Sequence, residues 1–235
     1  MEIREALDRY RIPWDPVGIE RLEVYRRFLR EKNAVMDLTS VPDEETAERH
    51  FADSLMPLSY PGFIPREGRA ADVGSGAGFP GLPLAAFCPG VRFFLIDAQE
   101  KRCAFLRDCA SRMDLKNVEV IHARAEEAGR RVALRETFDL TVARAVAPLN
   151  VLCEYLAPLT RTGGKCVCWK GAPDTEERRD GDYAAGVLGL GAGETLAFRE
   201  AEAERTLYIY RKLSATLEKY PRRNGIPSKR PLREG

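Results

Sequence analysis

Three glycines at alternate positions, Gly74, Gly76 and Gly78, follow the short apolar run Ala70-Ala71-Asp72-Val73 and lead into Phe79-Pro80-Gly81-Leu82-Pro83-Leu84. Glycine suits a chain that must turn sharply at positive φ, and its missing Cβ lets the backbone come close to a ligand. A helix opening behind such a turn offers free N–H groups and a positive dipole end, suited to a carboxylate or a phosphate. A dinucleotide fingerprint, G-x-G-x-x-G, needs Gly or Ala where this chain has Phe79. Five other residues stand at or just after the ends of later apolar runs. Asp97 is placed as an acid that accepts hydrogen bonds from ribose hydroxyls. The backbone of Ala125 and the side chain of Glu126 are placed to read an adenine ring, although a helix N-terminal acid explains Glu126 almost as well. Arg144 is suited to clamp a carboxylate, a phosphate or a purine O6, and Lys170 puts a second cation on the same rim.

The elements that must position these residues can be read from the hydrophobic pattern. Strands are expected at Arg69–Val73, Val91–Ile96, Val118–Ile121, Phe138–Ala143 and Gly164–Lys170, with helices at about 80–88, 98–113, 124–134 and 148–158. Such alternation implies a parallel sheet with right-handed crossovers and helices on both faces. Ligands then bind at the carboxyl ends of the strands, near the point where the strand order reverses. Residues 1–67 read as an N-terminal helical cap. Apolar stripes at Ile3, Ala6, Leu7 and Tyr10 and at Val17, Leu22, Tyr25, Phe28 and Leu29 precede a third helix headed by Asp43, with Phe51, Leu55 and Leu58 on its inner face. His50 reads first as a packed histidine. Together with Asp53 and Asp37-Leu38-Thr39-Ser40 it alternatively faces a ligand mouth.

The sheet domain is expected over 68–214. Within it, residues 174–204 carry nine Asp or Glu against Arg178, Arg179 and Arg199 and read as a helix followed by a mobile glycine-rich loop. Thr206–Arg211 is a late strand, antiparallel and near the sheet edge. The tail, 215–235, holds Arg222, Arg223, Lys229, Arg230 and Arg233 among Pro221, Pro227 and Pro231. It is expected to lack regular structure and to act as a phosphate-contacting arm, with no bearing on the ligand of the glycine turn.

Composition narrows the class. A chain of 235 residues holds one large α/β domain, or one with a small appendage. Hydrophobic residues are 44% and charged residues 31%, an ordinary globular balance, and a net charge of +1 means that any nucleic-acid affinity must come from local clusters. Six cysteines with no C-x-x-C pair, and only His50 and His122, give no metal-ligand spacing. They read as reduced thiols of a soluble cytoplasmic protein, since no signal core and no apolar run of about 18 residues occurs. No Ser-His-Asp set or Walker lysine is present.

The G-x-G-x-G spacing resembles motif I of the S-adenosylmethionine-dependent methyltransferases. With Leu95-Ile96-Asp97-Ala98-Gln99-Glu100-Lys101-Arg102, Arg124-Ala125-Glu126, Arg144-Ala145-Val146-Ala147, Lys170-Gly171 and the tail, nearly the whole chain resembles one family. It is the bacterial 16S ribosomal RNA guanine-N7 methyltransferases, also called the glucose-inhibited division protein B family. The resemblance implies an α/β Rossmann-like class I methyltransferase sheet, mostly parallel and seven-stranded, with an N-terminal helical cap. It implies S-adenosylmethionine as methyl donor and no metal, and as acceptor a guanine in the decoding-region loop of 16S ribosomal RNA of the small ribosomal subunit. Cofactor contacts would fall on Gly74, Phe79, Asp97, Ala125, Glu126 and Arg144, with Gly76 and Gly78 completing the turn. Lys170, Arg222, Arg223, Lys229 and Arg230 would meet RNA, and the protein is expected as a monomer. Two positions depart from the family pattern: Asp37 where Asn is usual, and Ala98 where Ser is usual.

The implied chemistry needs little. Guanine N7 carries a lone pair and no proton, so methyl transfer requires alignment and water exclusion rather than a general base. Arg144 would serve by positioning. Two other readings stay open on the sequence. One is a nicotinamide-dependent oxidoreductase, against which Phe79 argues. The other is a non-catalytic adenosine-binding RNA module, since N7 transfer leaves no catalytic signature.

Overall fold

The computed structural model describes residues 1–144, 146–171, 174–200 and 203–234. Helices α1 (Ile3–Arg9) and α2 (Pro16–Met36) come first, and Asp15 caps α2 by accepting from Gly18 N at 2.9 Å. Next come a 3₁₀ turn (Asp43–Glu45), a π-helical turn (Ala47–Ala52), α3 (Asp53–Leu55) and a second 3₁₀ turn (Met56–Ser59). One regular helix is expected there from the sequence. The chain changes helical pitch three times instead, and Pro57 falls in the first positions of the last 3₁₀ turn, where its missing N–H costs no bond.

The sheet follows in alternation with helices. Its first strands are β1 (Gly68–Val73), β2 (Val91–Asp97), β3 (Val118–His122), β4 (Phe138–Arg144) and β5 (Thr160–Lys170). Between them lie α4 (Gly81–Phe87), α5 (Glu100–Arg112), α6 (Ala125–Ala128) and α7 (Leu149–Leu156). Then come α8 (Thr175–Val187), β6 (Glu194–Glu200), β7 (Ala203–Arg211) and α9 (Ile226–Lys229). The strand order is β3-β2-β1-β4-β5-β7-β6, parallel from β3 to β5, with β7 antiparallel to both its neighbours. The order reverses between β1 and β4. That opens a crevice between the turn after β1 and the end of β4.

Alternation along the strands divides the core. Leu140, Val142 and Val167 face the layer of α2, the 47–56 segment and α5, whereas Ala143, Cys166 and Cys168 face α7 and the tail. The spacing Cys166-Val167-Cys168 is therefore a strand pattern, and all six cysteines are free thiols. No helix among the described residues is long and apolar enough to cross a membrane.

Two expectations fail here. The segment after α8 is not a mobile loop: Thr195–Phe198 pairs with Arg205–Tyr208 to make the outer strand β6. The tail contains one short helix where none is expected, although the rest of its described residues have no regular structure. Gly225, at φ 77°, starts α9, and Pro227 sits in the first turn, where its lost N–H has no helical partner to miss. Arg135 donates to Thr216 O (2.7 Å) and Tyr220 O (2.8 Å), and Asn150 to Leu232 O (2.9 Å), so the tail is laid against α7. Arg222 sends Nε and Nη2 to Glu154, at 2.9 and 2.6 Å, and Glu154 has no exposed surface. Removing one partner of a buried pair strands the other. Arg222→Ala is therefore expected to lower the unfolding free energy by about 3–5 kcal/mol in urea titration; an unchanged midpoint means that this seating of the tail does not hold.

Candidate functional site

The glycine turn is tied to the end of β2. Gly74 N and Ser75 N both donate to Ile96 O (2.8 and 3.1 Å), and Gly76 N donates to Asp97 Oδ2 (2.9 Å). Asp97 Oδ1 accepts from Gln99 N (2.9 Å), so this carboxylate shapes the turn as well as closing β2. Below it, Asp72 Oδ2 accepts from Ser75 Oγ (2.8 Å) and Gly81 N (2.9 Å). Burial pushes the Asp72 carboxyl up to about 6. Gly76, at φ 59°, would direct a Cβ into space where only Gly74 O lies within 4 Å, at 3.8 Å. Gly78 differs, because its Cβ would meet Leu82 Cδ1 at 2.5 Å and Tyr25 Oη at 2.9 Å. Gly76 keeps the cradle open; Gly78 lets α2 pack against the turn.

The facing wall comes from the N-terminal residues. Tyr25 of α2 donates its hydroxyl to Ala77 O and stacks on Phe79 at 5.1 Å. His50 stacks on Phe79 at 4.4 Å, and Phe51 meets it edge-on at 5.5 Å. Arg144, the last residue of β4, lies with its guanidinium carbon 5.0 Å from the Phe79 ring centre. Its Nη1 donates to Asp53 Oδ2 (2.6 Å) and Arg49 O (3.2 Å), and its Nη2 to His50 Nδ1 (3.0 Å). Nδ1 also lies 3.0 Å from the Arg49 carbonyl, and Nε2 lies 2.7 Å from Thr39 Oγ1, so both ring nitrogens are engaged. Burial first, then the neighbouring Arg144 charge, lower His50 to about 3, which keeps the ring neutral. The strand end beside Arg144 carries Trp169, whose Nε1 donates to Asp53 O (3.1 Å). Asn33 holds the next stretch of wall, its Oδ1 accepting from Leu38 N and Thr39 N. Asp37 ends α2 at φ 49°, a left-handed position that both Asp and Asn tolerate.

These walls enclose a cavity of about 520 Å³ at the switch point. Of the residues picked from sequence, Gly74, Gly76, Phe79, Arg144 and Lys170 line it, as do His50 and Asp53. Gly78, Asp97, Ala125 and Glu126 do not. Glu126 is buried and accepts from Gly225 N at 2.7 Å, so the tail lies behind the stretch expected to read adenine. This departs from the expectation that the tail has no bearing on that ligand. Among the tail cations, Arg222 is taken by Glu154, whereas Arg223, Lys229 and Arg230 are exposed. Lys170 pairs with Glu177 at 2.5 Å on the rim. Arg49, Arg102 and Arg205 also line the cavity and were not singled out from sequence. Nothing local marks them, because each comes from a different element and meets the others only after folding.

Residues 18–207 match the family model described as GidB: rRNA small subunit methyltransferase G. The chain is 43% identical over 217 residues to the Ribosomal RNA small subunit methyltransferase G of Carboxydothermus hydrogenoformans, covering 91% of this chain and 92% of that one. A protein of the same name from Alkaliphilus oremlandii is 37% identical over 234 residues, with 98% of each chain covered. Among solved structures, a mutant of MtNAS in complex with S-adenosylmethionine is similar at TM-score 0.55 and 15% identity, over 84% of this chain and 78% of that chain. P. horikoshii TYW2 in complex with MeSAdo reaches TM-score 0.56 at 11% identity, over 75% and 65%. At such identities the two structures share a fold with this chain and no more.

The open space above Gly76 yields a direct test. Gly76→Val strains the φ 59° turn and fills the cradle. It is expected to abolish S-adenosylhomocysteine binding in calorimetry while circular dichroism stays native. Near-normal affinity in a folded variant rejects the cradle.

Proposed function

The chain belongs to the rRNA small subunit methyltransferase G family, and on that premise we propose that it methylates N7 of a guanine in 16S ribosomal RNA. The observation that carries this reading is the state of His50, the one histidine among the described residues that line the cavity. His50 is neutral, and both of its nitrogens are engaged, by Arg144 and Thr39. Asp53 is already paired with Arg144. The histidine and the carboxylate that line the cavity are thus both held by neighbouring side chains. N7 of guanine asks for no base, whereas methylation of an exocyclic amine leaves a proton to remove.

S-adenosylmethionine, when bound, supplies an electrophilic methyl group on a sulfonium. The residues present fit it. Gly76 leaves open space in the turn, and Gly74 lets the Val146 side chain approach it. Arg144 has five N–H groups, of which three are used, which leaves donors for a carboxylate or a purine oxygen. Asp97 keeps lone pairs beyond its two backbone bonds for ribose hydroxyls, and Ala125 and Glu126 follow the neighbouring strand β3, where an adenine would pass. We assign Arg144 to alignment: the guanidinium, held from four sides, fixes one wall against which the reacting groups are pressed in line. Lys170 and the exposed Arg223, Lys229 and Arg230 are assigned to phosphate contacts. Lys229 and Arg233 line a groove just past β4 with Pro148 and Asn150, a groove they share with Asp174, Glu176, Glu177 and Asp180.

The experiment is an incubation of unmodified 16S RNA, or the small subunit containing it, with the protein and S-adenosylmethionine. Mass spectrometry of the nuclease digest should show 7-methylguanosine. A methyl group on any other atom contradicts the assignment, and binding of NAD in place of S-adenosylhomocysteine in equilibrium dialysis favours the oxidoreductase.

A further inference from the structure

The cavity walls carry an excess of positive charge, and one of their cations has no counter-charge in the fold. Among the described residues that line the cavity, Arg49, Arg102, Arg144, Lys170 and Arg205 are basic and Asp53 is acidic. Four of these cations face a carboxylate. Arg49 pairs with Glu45 at 2.5 Å, Lys170 with Glu177 at 2.5 Å and Arg144 with Asp53 at 2.6 Å, and Arg205 Nε stands 3.9 Å from Asp53 Oδ1. Arg102 makes no ion pair, hydrogen bond or ring contact among the described residues. It is the third residue of α5 and partly exposed, in a first turn where the helix dipole disfavours a cation. The acid of that turn, Glu100, is taken by Arg107 (2.8 Å) and His122 (3.1 Å), and Asp97 accepts from Gly76 N and Gln99 N. The fold thus gains no contact from this guanidinium, whose donors remain for an anion that arrives with a ligand.

Resting on the methyltransferase reading, we infer that Arg102 holds a backbone phosphate of the RNA beside the target nucleotide. An enzyme that acts on a base extrudes it, and the phosphates on either side of that nucleotide then stay at the cavity mouth. A guanidinium meets a phosphate through two parallel N–H···O bonds, and Arg102 gives up no other bond to do so. The cofactor does not call for this charge. S-adenosylmethionine carries a sulfonium, an ammonium and one carboxylate, so its arrival adds to the positive excess of the walls, which an anionic substrate offsets. Its carboxylate has the unspent N–H groups of Arg144 to meet. Strand order sets the side of approach. α5 follows β2, on one flank of the switch point between β1 and β4, whereas α8, with Glu176 and Glu177 in its first turn, follows β5 on the other. The RNA backbone therefore enters over the β2 flank, away from the acids of α8.

The test measures binding of unmodified 16S ribosomal RNA, with S-adenosylhomocysteine present, at salt concentrations of about 50–200 mM. Wild type is compared with Arg102→Gln, Arg102→Lys and a control, Arg92→Gln. Arg92 is exposed near the start of β2, at the other end of the strand, and pairs with Glu119, so the control removes the same charge away from the cavity. Calorimetry with S-adenosylhomocysteine and thermal melting report on the cofactor site and the fold. Arg102→Gln is expected to melt with wild type and to bind S-adenosylhomocysteine within about twofold of it. Its RNA binding should weaken about tenfold, and its log–log salt slope should flatten by about 0.7–0.9, the share of one phosphate contact. Arg102→Lys should keep the slope, because an ammonium also meets a phosphate. Arg92→Gln should match wild type in both. An unchanged slope in Arg102→Gln, or an equal loss of slope in Arg92→Gln, overturns the inference. So does a loss of S-adenosylhomocysteine affinity of about tenfold or more with RNA binding intact, which gives Arg102 to the cofactor's carboxylate. Should Arg102→Gln fail to fold, a folded Arg102→Lys enzyme that has lost the slope overturns it as well. Methyl transfer is followed in parallel: none by wild type sinks the parent reading and this one together, whereas transfer with the slope unmoved in Arg102→Gln sinks this one alone.

Discussion

Arg144 places a full positive charge at the end of a buried parallel strand, and the surroundings of the cavity follow from the need to hold it there. Its side chain is 14% exposed. Water therefore solvates it poorly, and a desolvated charge needs a counter-charge and a full set of acceptors. The chain provides Asp53, the carbonyl of Arg49, Nδ1 of His50 and the face of Phe79. Three of these four come from one stretch, 49–53, which spans the change from π-helical to α-helical pitch. A regular helix would commit the Arg49 carbonyl to its own ladder. In this π turn it accepts from Arg144, and π turns recur at functional sites.

The same contact joins the N-terminal residues to the sheet. Phe79 sits in the turn after β1 and is covered by Tyr25 and His50 on its faces and Phe51 at its edge, so the glycine turn and the N-terminal wall share one ring. The helices ahead of β1 are consequently part of the cavity and not a lid laid over a finished site. On the opposite face of the sheet the tail has a comparable role. It supplies Gly225 N to Glu126 and Arg222 to Glu154, two carboxylates that would otherwise be buried without partners. Both ends of the chain thus complete a sheet whose central strands alone do not make the site.

What could be read beforehand was what is local. Alternating glycines before an apolar helix, an acid at a strand end and apolar runs separated by polar helices each lie within a few neighbouring residues, so the five central strands and the turn were legible. Arg144 was legible as a residue at a strand end, but its partners lie about ninety positions earlier in the chain, and no short-range pattern encodes that distance. Strand β6 was hidden because Leu196 and Phe198 alternate within an acidic stretch preceded by glycines, which suggests a loop until β7 is available to pair with it. The tail looked like a free arm because its prolines and arginines favour one. Only the buried Glu154 and Glu126 show that part of its charge and backbone is spent inside the chain.

The central claim is that the cavity is built jointly by the glycine turn and the N-terminal wall. Hydrogen-exchange mass spectrometry of the intact protein, with and without S-adenosylhomocysteine, tests it most directly. Ligand should slow exchange both in the peptide spanning Gly74–Gly81 and in the one spanning Leu38–Asp53. Protection confined to the turn, with the N-terminal segment exchanging at its unliganded rate, would contradict a shared cavity.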